Sequence, residues 1–199
     1  ADERGVIVNK LADIKFPRAL IPAKATNTLT LDLNLDSRTD LGKKFDVNDP
    51  HATSNYSTGV GIYDSQGSKH LVTLFFVKAA DRQWEVHGLA DGKEVTGGQA
   101  GKWSEVYAGR VGFTVDGKLD TEQVTKSAFN FTGGALQNQT IKIDFGDSIT
   151  TDKGKGITGT KQFGKESDMI SWKQDGSSAG TITNLSFNDE GVLTALYSN

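Results

Sequence analysis

One alternating run sets the strongest limit on what this chain can fold into. Residues 28–35 read Thr-Leu-Thr-Leu-Asp-Leu-Asn-Leu, so every second residue is a leucine. Successive side chains of a β-strand point to opposite faces, which places all four leucines on one face of a strand. In an α-helix the same leucines would spread around the cylinder. The run therefore predicts a β-strand with one apolar face.

The two-residue period recurs along the rest of the chain. Residues 56–63, 71–77 and 84–87 are separated by short polar turns and predict a three-stranded meander. Further strand signals are found in residues 110–115, 129–131, 141–145, 181–187 and 192–197. Helical spacing is not sustained over three turns anywhere, and the best helical candidate, 119–128, is weak. The predicted fold class is all-β, a β-sandwich or a distorted β-barrel.

Composition argues against several classes of function. The net charge is −3, and acidic and basic residues are interspersed without the basic cluster that nucleic-acid binding needs. We also expect no membrane insertion, because no run of about 18 apolar residues occurs. The chain has no cysteine, which excludes disulfides, thiolate zinc sites and cysteine nucleophiles.

Two short motifs resemble enzyme signatures, but their surroundings do not support them. Residues 154–159 match G-x-G-x-x-G, a pattern that binds dinucleotides only between a strand and a helix. The following Thr-Lys-Gln-Phe-Gly has no helical period, so a flexible loop is predicted. Residues 144–146 read Asp-Phe-Gly, the kinase magnesium motif, without any other kinase element, and predict the end of a strand.

The remaining ionisable residues form no recognisable constellation. His70 and His87 lack metal-ligand spacing and are predicted to be half-exposed strand residues. Carboxylates such as Asp144 and Asp147 are scattered, and sequence alone does not pair them across a cleft. We therefore predict no catalytic, cofactor-binding or metal-binding residue and no cofactor, and the subunit-contact residues are unknown.

The three tryptophans leave two interpretations open. Trp84, Trp103 and Trp172 lie on different predicted elements, which favours packing in the core or between domains. The alternative is a platform on which sugar rings stack, as in a carbohydrate-binding or adhesive β-sandwich. A structure with Trp84 and Trp103 side by side on an exposed face would favour that alternative.

Breaks near both ends of the chain predict its domain organisation. Pro17 and Pro22 punctuate the segment before the leucine strand, and residues 174–180 form a polar, glycine-rich break. We predict a central domain at 24–176, with the flanks 1–23 and 177–199 lying beside each other. This is the arrangement of a domain inserted into a loop of another. Because the chain starts with Ala-Asp-Glu-Arg, we expect it to be a piece of a longer protein.

Several stretches, in order along the chain, resemble the flagellar hook protein family. Residues 21–28, Ile-Pro-Ala-Lys-Ala-Thr-Asn-Thr, and 31–37 resemble the family's entry into its outer domain. Its most recognisable motif is similar to residues 56–67, with Tyr-Ser-Thr at the start and Ile-Tyr-Asp-Ser-Gln-Gly at the end. The family's return to its inner domain is similar to residues 163–164, 174–176, 189–191 and 197–199. Residues 90–160 match nothing in the family, which fits a region that the family varies.

The resemblance implies a structural subunit of the flagellar hook, not an enzyme. The hook is the extracellular curved tube that joins motor to filament and acts as a universal joint. Residues 24–176 would be the outer hook domain, and 1–23 with 177–199 would be paired strands of the smaller β domain inward of it. Family members are exported unfolded through the flagellar secretion channel, associate with other hook subunits, and meet the hook cap and junction proteins. Without the family's terminal helices, this chain alone is expected to be a monomer.

Overall fold

The structure is a computed structural model in which residues 20–42 and 44–199 are described. The chain divides into two compact units. The first unit, as far as it is described, comprises residues 20–21 and 180–199, and the second comprises Pro22–Ala179. Each unit is built from β-strands, so the predicted all-β class is confirmed.

The elements follow one another in a simple order. In the second unit they are β1 (Thr28–Asn34), α1 (Pro50–Thr53), β2 (Tyr56–Tyr63), β3 (Lys69–Ala80), β4 (Gln83–Asp91), a 3₁₀ turn (Gly92–Glu94), β5 (Trp103–Phe113), β6 (Leu119–Ser127), β7 (Lys142–Asp144) and β8 (Asp168–Gln174). The first unit contributes β9 (Ile182–Phe187) and β10 (Leu193–Tyr197). The weak helical candidate at 119–128 is therefore a strand, β6.

Strands β2 to β6 form one five-stranded antiparallel sheet in sequence order. The predicted meander of three strands is confirmed and continues for two more. Its turns have local causes. Gly67 takes a φ of +82°, a left-handed conformation that glycine adopts without steric penalty. In the same turn the Asp64 carboxylate accepts hydrogen bonds from the amides of Gln66 (2.8 Å) and Ser68 (2.9 Å).

The leucine strand β1 lies at the centre of a second, three-stranded sheet. It pairs with β7 in parallel and with β8 in antiparallel register. The central strand of this sheet therefore precedes the whole meander in sequence, whereas both of its neighbours follow the meander.

The core lies between these two sheets. The leucines of the alternating run are fully buried, and they form one cluster with the inward residues of the meander. Trp84 is the largest side chain of this core, and Phe76 meets Phe145 edge to face with ring centroids 6.2 Å apart. Because one cluster joins both sheets, the second unit is a β-sandwich.

The meander also buries part of its outer face. Phe75 is fully buried on the face opposite to Phe76. Phe45 and His51 lie over it, with ring centroids 6.1 and 5.0 Å from that of Phe75, and Phe45 stacks on His87 at 3.8 Å. Burial on both faces explains why residues 71–77 read as a nearly continuous apolar run.

In the first unit, β9 and β10 form the hairpin that the sequence predicts. Asn188 organises its turn, because the side-chain oxygen accepts hydrogen bonds from the amides of Glu190 (3.1 Å) and Val192 (2.8 Å). Gly191 completes the turn with a φ of +79°.

Candidate functional site and family

The glycine-rich motif at 154–159 is a loop, as predicted. Its last glycine allows two backbones to cross: a Cβ atom on Gly159 would lie 2.4 Å from the Cα of Gly146 and from the carbonyl oxygen of Phe145. The next residue, Thr160, donates its amide to that same carbonyl at 2.7 Å. Asp144 ends β7, which confirms the second prediction about these motifs. The glycines therefore serve close packing of the chain on itself.

One buried cluster of ionisable groups escaped the sequence analysis. His70 was predicted to be half-exposed, but it is 7% exposed, so that prediction is wrong. Its Nε2 lies 3.1 Å from Asp64 and its Nδ1 lies 3.0 Å from Glu94, while the ring stacks on Phe131 at 3.7 Å. His87, in contrast, is partly exposed in β4, as predicted.

The electrostatics of Asp64 fit a structural role for this cluster. Burial raises the pKa of its carboxyl, but hydrogen bonds from His70 and from the amides of Ser68 and Gln66 outweigh burial and hold the pKa below its usual value. Both ring nitrogens of His70 are occupied by carboxylates, so the cluster ties the β2–β3 turn to the 3₁₀ turn and to Phe131. A ring that is bonded on both nitrogens and stacked on its face offers nothing to a substrate.

The described carboxylates that the sequence singles out make separate local contacts. Over residues 20–42 and 44–199, no group of three or more histidines and carboxylates has the geometry of a metal site. Asp144 pairs with Lys142 at 3.3 Å, whereas Asp147 accepts a hydrogen bond from the amide of Lys155 at 2.9 Å. No described helix has the length and apolar character that crossing a membrane requires.

The tryptophans do not form a sugar-stacking platform. Trp84 is fully buried and directs its indole nitrogen toward Gln162 at 3.4 Å, so its predicted place in the core is confirmed. Trp103 begins β5 and Trp172 lies on β8, which belong to different sheets. The arrangement that would have favoured the carbohydrate-binding alternative is absent from the described part of the chain.

Another polar site of the second unit is the neck, residues 22–28 and 174–179, where the chain enters and leaves the unit. The amide of Lys24 donates to the carbonyl of Ser177 at 2.9 Å, and the reverse bond is 2.8 Å long. Asp175 accepts hydrogen bonds from the amides of Asn27 (2.8 Å) and Thr28 (2.9 Å). Its second oxygen lies 3.0 Å from the Lys24 ammonium. The two ends of the unit are thus fastened side by side.

The neck depends on an ionised carboxylate. Burial disfavours the charge on Asp175, but hydrogen bonds from the Thr28 and Asn27 amides and the contact with Lys24 prevail, so the pKa lies well below its usual value. A depressed carboxyl pKa stabilises the fold above the unfolded-state pKa of roughly 4, and this stabilisation is lost as the pH falls further.

We therefore expect Asp175→Asn to lower the free energy of unfolding at pH 7 by about 1–2 kcal/mol. Water screens the partly exposed pair of Asp175 and Lys24, which keeps the effect in this range. Urea unfolding at pH 7 and pH 3 measures the effect, and the gap between variant and parent should shrink at pH 3. Asp189→Asn, in the turn of the hairpin, is the control and should change neither value. Equal stability of Asp175→Asn and its parent at pH 7 would contradict this role for the neck.

Comparison with known proteins gives the family of this chain. Residues 34–177 match the family named "Flagellar basal body protein FlaE D2 domain". This match covers well over half of the chain. The chain belongs to the FlaE D2 domain family. The matched residues begin at the end of β1 and stop within the neck, so they span nearly all of the β-sandwich.

Relatives of this FlaE D2 domain chain are flagellar hook proteins. It is 26% identical over 188 residues to the flagellar hook protein FlgE of Escherichia coli (strain K12), covering 94% of this chain and 42% of that protein. Identity to FlgE of Helicobacter pylori (strain ATCC 700392 / 26695) is 29% over 150 residues, covering 75% of this chain and 20% of that protein. The FlgE of Treponema pallidum (strain Nichols) is 29% identical over 204 residues, covering 90% and 43%. The chain thus spans less than half the length of these relatives.

One solved structure to which this FlaE D2 domain chain is similar is a 32 kDa fragment of the flagellar hook protein FlgE from Caulobacter crescentus. It superposes with a TM-score of 0.44 at 19% identity, over 67% of this chain and 52% of the fragment.

Proposed function

We propose that this chain is part of a structural subunit of the bacterial flagellar hook, the curved tube that links motor to filament as a universal joint. The observation that carries the proposal is the match of residues 34–177 to the FlaE D2 domain family. Similarity to FlgE proteins over most of this chain supports the same conclusion. The place of action is then the hook, on the outside of the cell.

Within such a subunit we assign residues 24–176 to the outer hook domain, and 1–23 with 177–199 to the neighbouring inner domain. Residues 1–19 of this assignment lie outside the described residues. The neck supports this assignment, because it holds the entering and leaving segments side by side by backbone hydrogen bonds between Lys24 and Ser177. A domain that is inserted into a loop of another domain needs its own two ends to lie close together in this way.

The proposed role is mechanical, without a chemical step. The buried pair of His70 and Asp64 supports it, since the two side chains bond to each other and Asp64 also accepts backbone amides. Carboxylates on the surface are paired with cations in several places, such as Glu85 with Arg110 at 2.8 Å and Glu105 with Lys126 at 3.5 Å.

The proposed partners are other hook subunits and, at the two ends of the tube, the hook cap and junction proteins. A universal joint requires contacts that slide as the tube bends. Exposed ion pairs contribute only about 0–1 kcal/mol each, so a contact built from them exchanges partners readily. The mixed charge on strands β4 and β5 suits such a contact. Alone, the chain is proposed to be a monomer.

Immunogold electron microscopy tests this function. Antibodies raised against the 199-residue chain are applied to flagella that were detached, with their hooks, from the bacterium that makes it. We expect gold along the hook and none along the filament. Antibodies preabsorbed with the same chain are the control and should label neither. Labelling of the filament, the cell body or nothing at all, with the hooks intact, would overturn the proposal.

A further inference from the structure

The edge of the five-stranded sheet that is formed by β6 is covered by a short loop. We call residues 148–152 the edge cover. The amide of Thr150 donates to the carbonyl of Asp120 in β6 at 2.8 Å, and its hydroxyl donates to the Asp120 carboxylate at 2.6 Å. The hydroxyl of Thr151 accepts the amide of Glu122 at 2.9 Å. The edge cover thereby occupies backbone groups of β6 that would otherwise be free to pair with another strand.

Beside this cover lies a carboxyl group on the core side of an edge strand. Glu122 pairs with Val111 of β5, whose side chain belongs to the buried core, and cross-strand neighbours lie on the same face of a sheet. The Glu122 Oε2 accepts the amide of Phe145 at 3.3 Å. Its Oε1 is buried and has no hydrogen-bond partner among the described residues. A buried carboxylate oxygen without a partner is costly, whereas a protonated carboxyl group tolerates the site better.

The carboxylates around Glu122 act on its pKa in the same direction as burial. Burial, together with the carboxylates of Asp144 on β7 and Asp152 in the edge cover, raises the pKa of its carboxyl to about 7, against the hydrogen bond from the Phe145 amide and the charge of Lys142. Lys142 is itself engaged with Asp144 at 3.3 Å. On β5, burial of Tyr107 and the negative charge of Glu122 raise the pKa of the tyrosine hydroxyl, so Tyr107 stays neutral near pH 7.

Asp152 connects these charges to the cover itself. Its carboxylate accepts the Ser148 hydroxyl at 2.6 Å, so its charge is held inside the edge cover and moves with it. Repulsion between Asp152 and an ionised Glu122 is relieved when the cover moves away from β6, while Asp144 remains fixed in its sheet.

We propose that the edge cover is a proton-dependent latch, docked on β6 while Glu122 is protonated and loosened when Glu122, Asp144 and Asp152 are all ionised. The direction of the pH dependence follows from the linkage between proton binding and docking. A carboxyl group whose pKa is raised in the docked state favours docking at low pH, and this preference is lost as the pH rises through the docked-state pKa. Loosening uncovers the β6 edge, so the latch also governs whether that edge can pair with a further strand. The inference stands independently of the proposed hook function.

Hydrogen exchange of the Thr150 amide tests the latch. Protection factors, corrected for the intrinsic exchange rate, are measured at pH 6 and pH 8. With a docked-state pKa near 7, we expect protection to fall by up to about tenfold between these values. The amide of Phe113, which donates to the carbonyl of Arg82, is the internal reference and should keep its protection.

Three variants separate the latch from general destabilisation. Glu122→Gln mimics the protonated carboxyl and should keep Thr150 equally protected at both pH values. Asp152→Asn removes the repelling charge from the cover and should weaken the pH dependence, which gives a second test should Glu122→Gln not fold. Glu166→Gln removes an exposed carboxylate elsewhere and should behave as the parent. Two results would overturn the proposal. One is protection of the Thr150 amide in the parent that does not change between pH 6 and pH 8. The other is a fall in this protection that remains as large in Glu122→Gln or Asp152→Asn as in the parent.

Discussion

Replacing Trp84 with alanine is expected to lower the free energy of unfolding by about 3–5 kcal/mol, the usual range for deleting a buried tryptophan. The indole is fully buried between the two sheets, so its removal loses apolar burial and leaves a cavity that the sheets cannot fill. The Gln162 oxygen also loses a donor. Urea unfolding followed by far-UV circular dichroism measures the change without relying on the fluorescence that the substitution removes.

Trp172→Ala is the matched control for this prediction. Its side chain lies on strand β8 and remains 42% exposed, so less area leaves water on folding and no closed cavity forms on truncation. We expect a loss of about 1–2 kcal/mol for this variant. A Trp172→Ala effect as large as that of Trp84→Ala would contradict the core that the structure describes.

Replacing Gly159 with alanine should lower the free energy of unfolding by about 2–5 kcal/mol, because two separate penalties add. A φ of +85° strains any residue that carries a Cβ atom. In addition, that atom would fall 2.4 Å from backbone atoms of Phe145 and Gly146, which cannot rotate away as side chains do. The urea midpoint at a constant m-value reports the loss of stability.

Gly97→Ala separates the two penalties. This glycine has a nearly identical φ of +81°, but a Cβ atom there meets nothing within 4 Å. Only the conformational strain remains, so we expect a loss of about 1–2 kcal/mol. If Gly97→Ala were as damaging as Gly159→Ala, the crossing of the two backbones at Gly146 and Gly159 would not be tight.

Many of the strands could be predicted from local patterns because their cause is local. The exceptions include β6, which covers the weak helical candidate, and β8, for which no strand was predicted. The leucines of β1 alternate strictly, and the structure buries every one of them. The β2–β3 turn and the turn of the β9–β10 hairpin could also be predicted, since Asp64 and Asn188 bond to amides within four residues of themselves. In such cases the residues that determine the conformation lie within the same short segment.

The arrangement of the strands could not be predicted, because it is set by contacts between distant residues. Strand β1 pairs with Lys142–Asp144 and with Asp168–Gln174, more than a hundred residues further along. No periodicity in any of these segments specifies its partner. The cover that Phe45 and His51 place over Phe75 was missed for the same reason, since residues 44–53 carry no strand or helix pattern of useful length.

The polar sites show the same difference between what local sequence predicts and what distant contacts determine. The sequence identifies Gln174-Asp175-Gly176 as a break, but not that Asp175 would bond to Asn27 and Thr28. The burial of His70 was also missed, because its acceptors Asp64 and Glu94 come from two different turns. A histidine whose strand neighbours are apolar, as in residues 70–72, gives only a faint signal of burial.

The proposed function places the β-sandwich in the outer domain of a flagellar hook subunit. A cryo-electron microscopy map of native hooks, from the bacterium that makes this chain, tests it most directly. We predict that residues 22–179 fit the outer density of each subunit as one body, with the neck at 22–28 and 174–179 directed toward the axis of the tube. A map in which no subunit density accepts this β-sandwich, or in which it fits only the rod, would contradict the assignment.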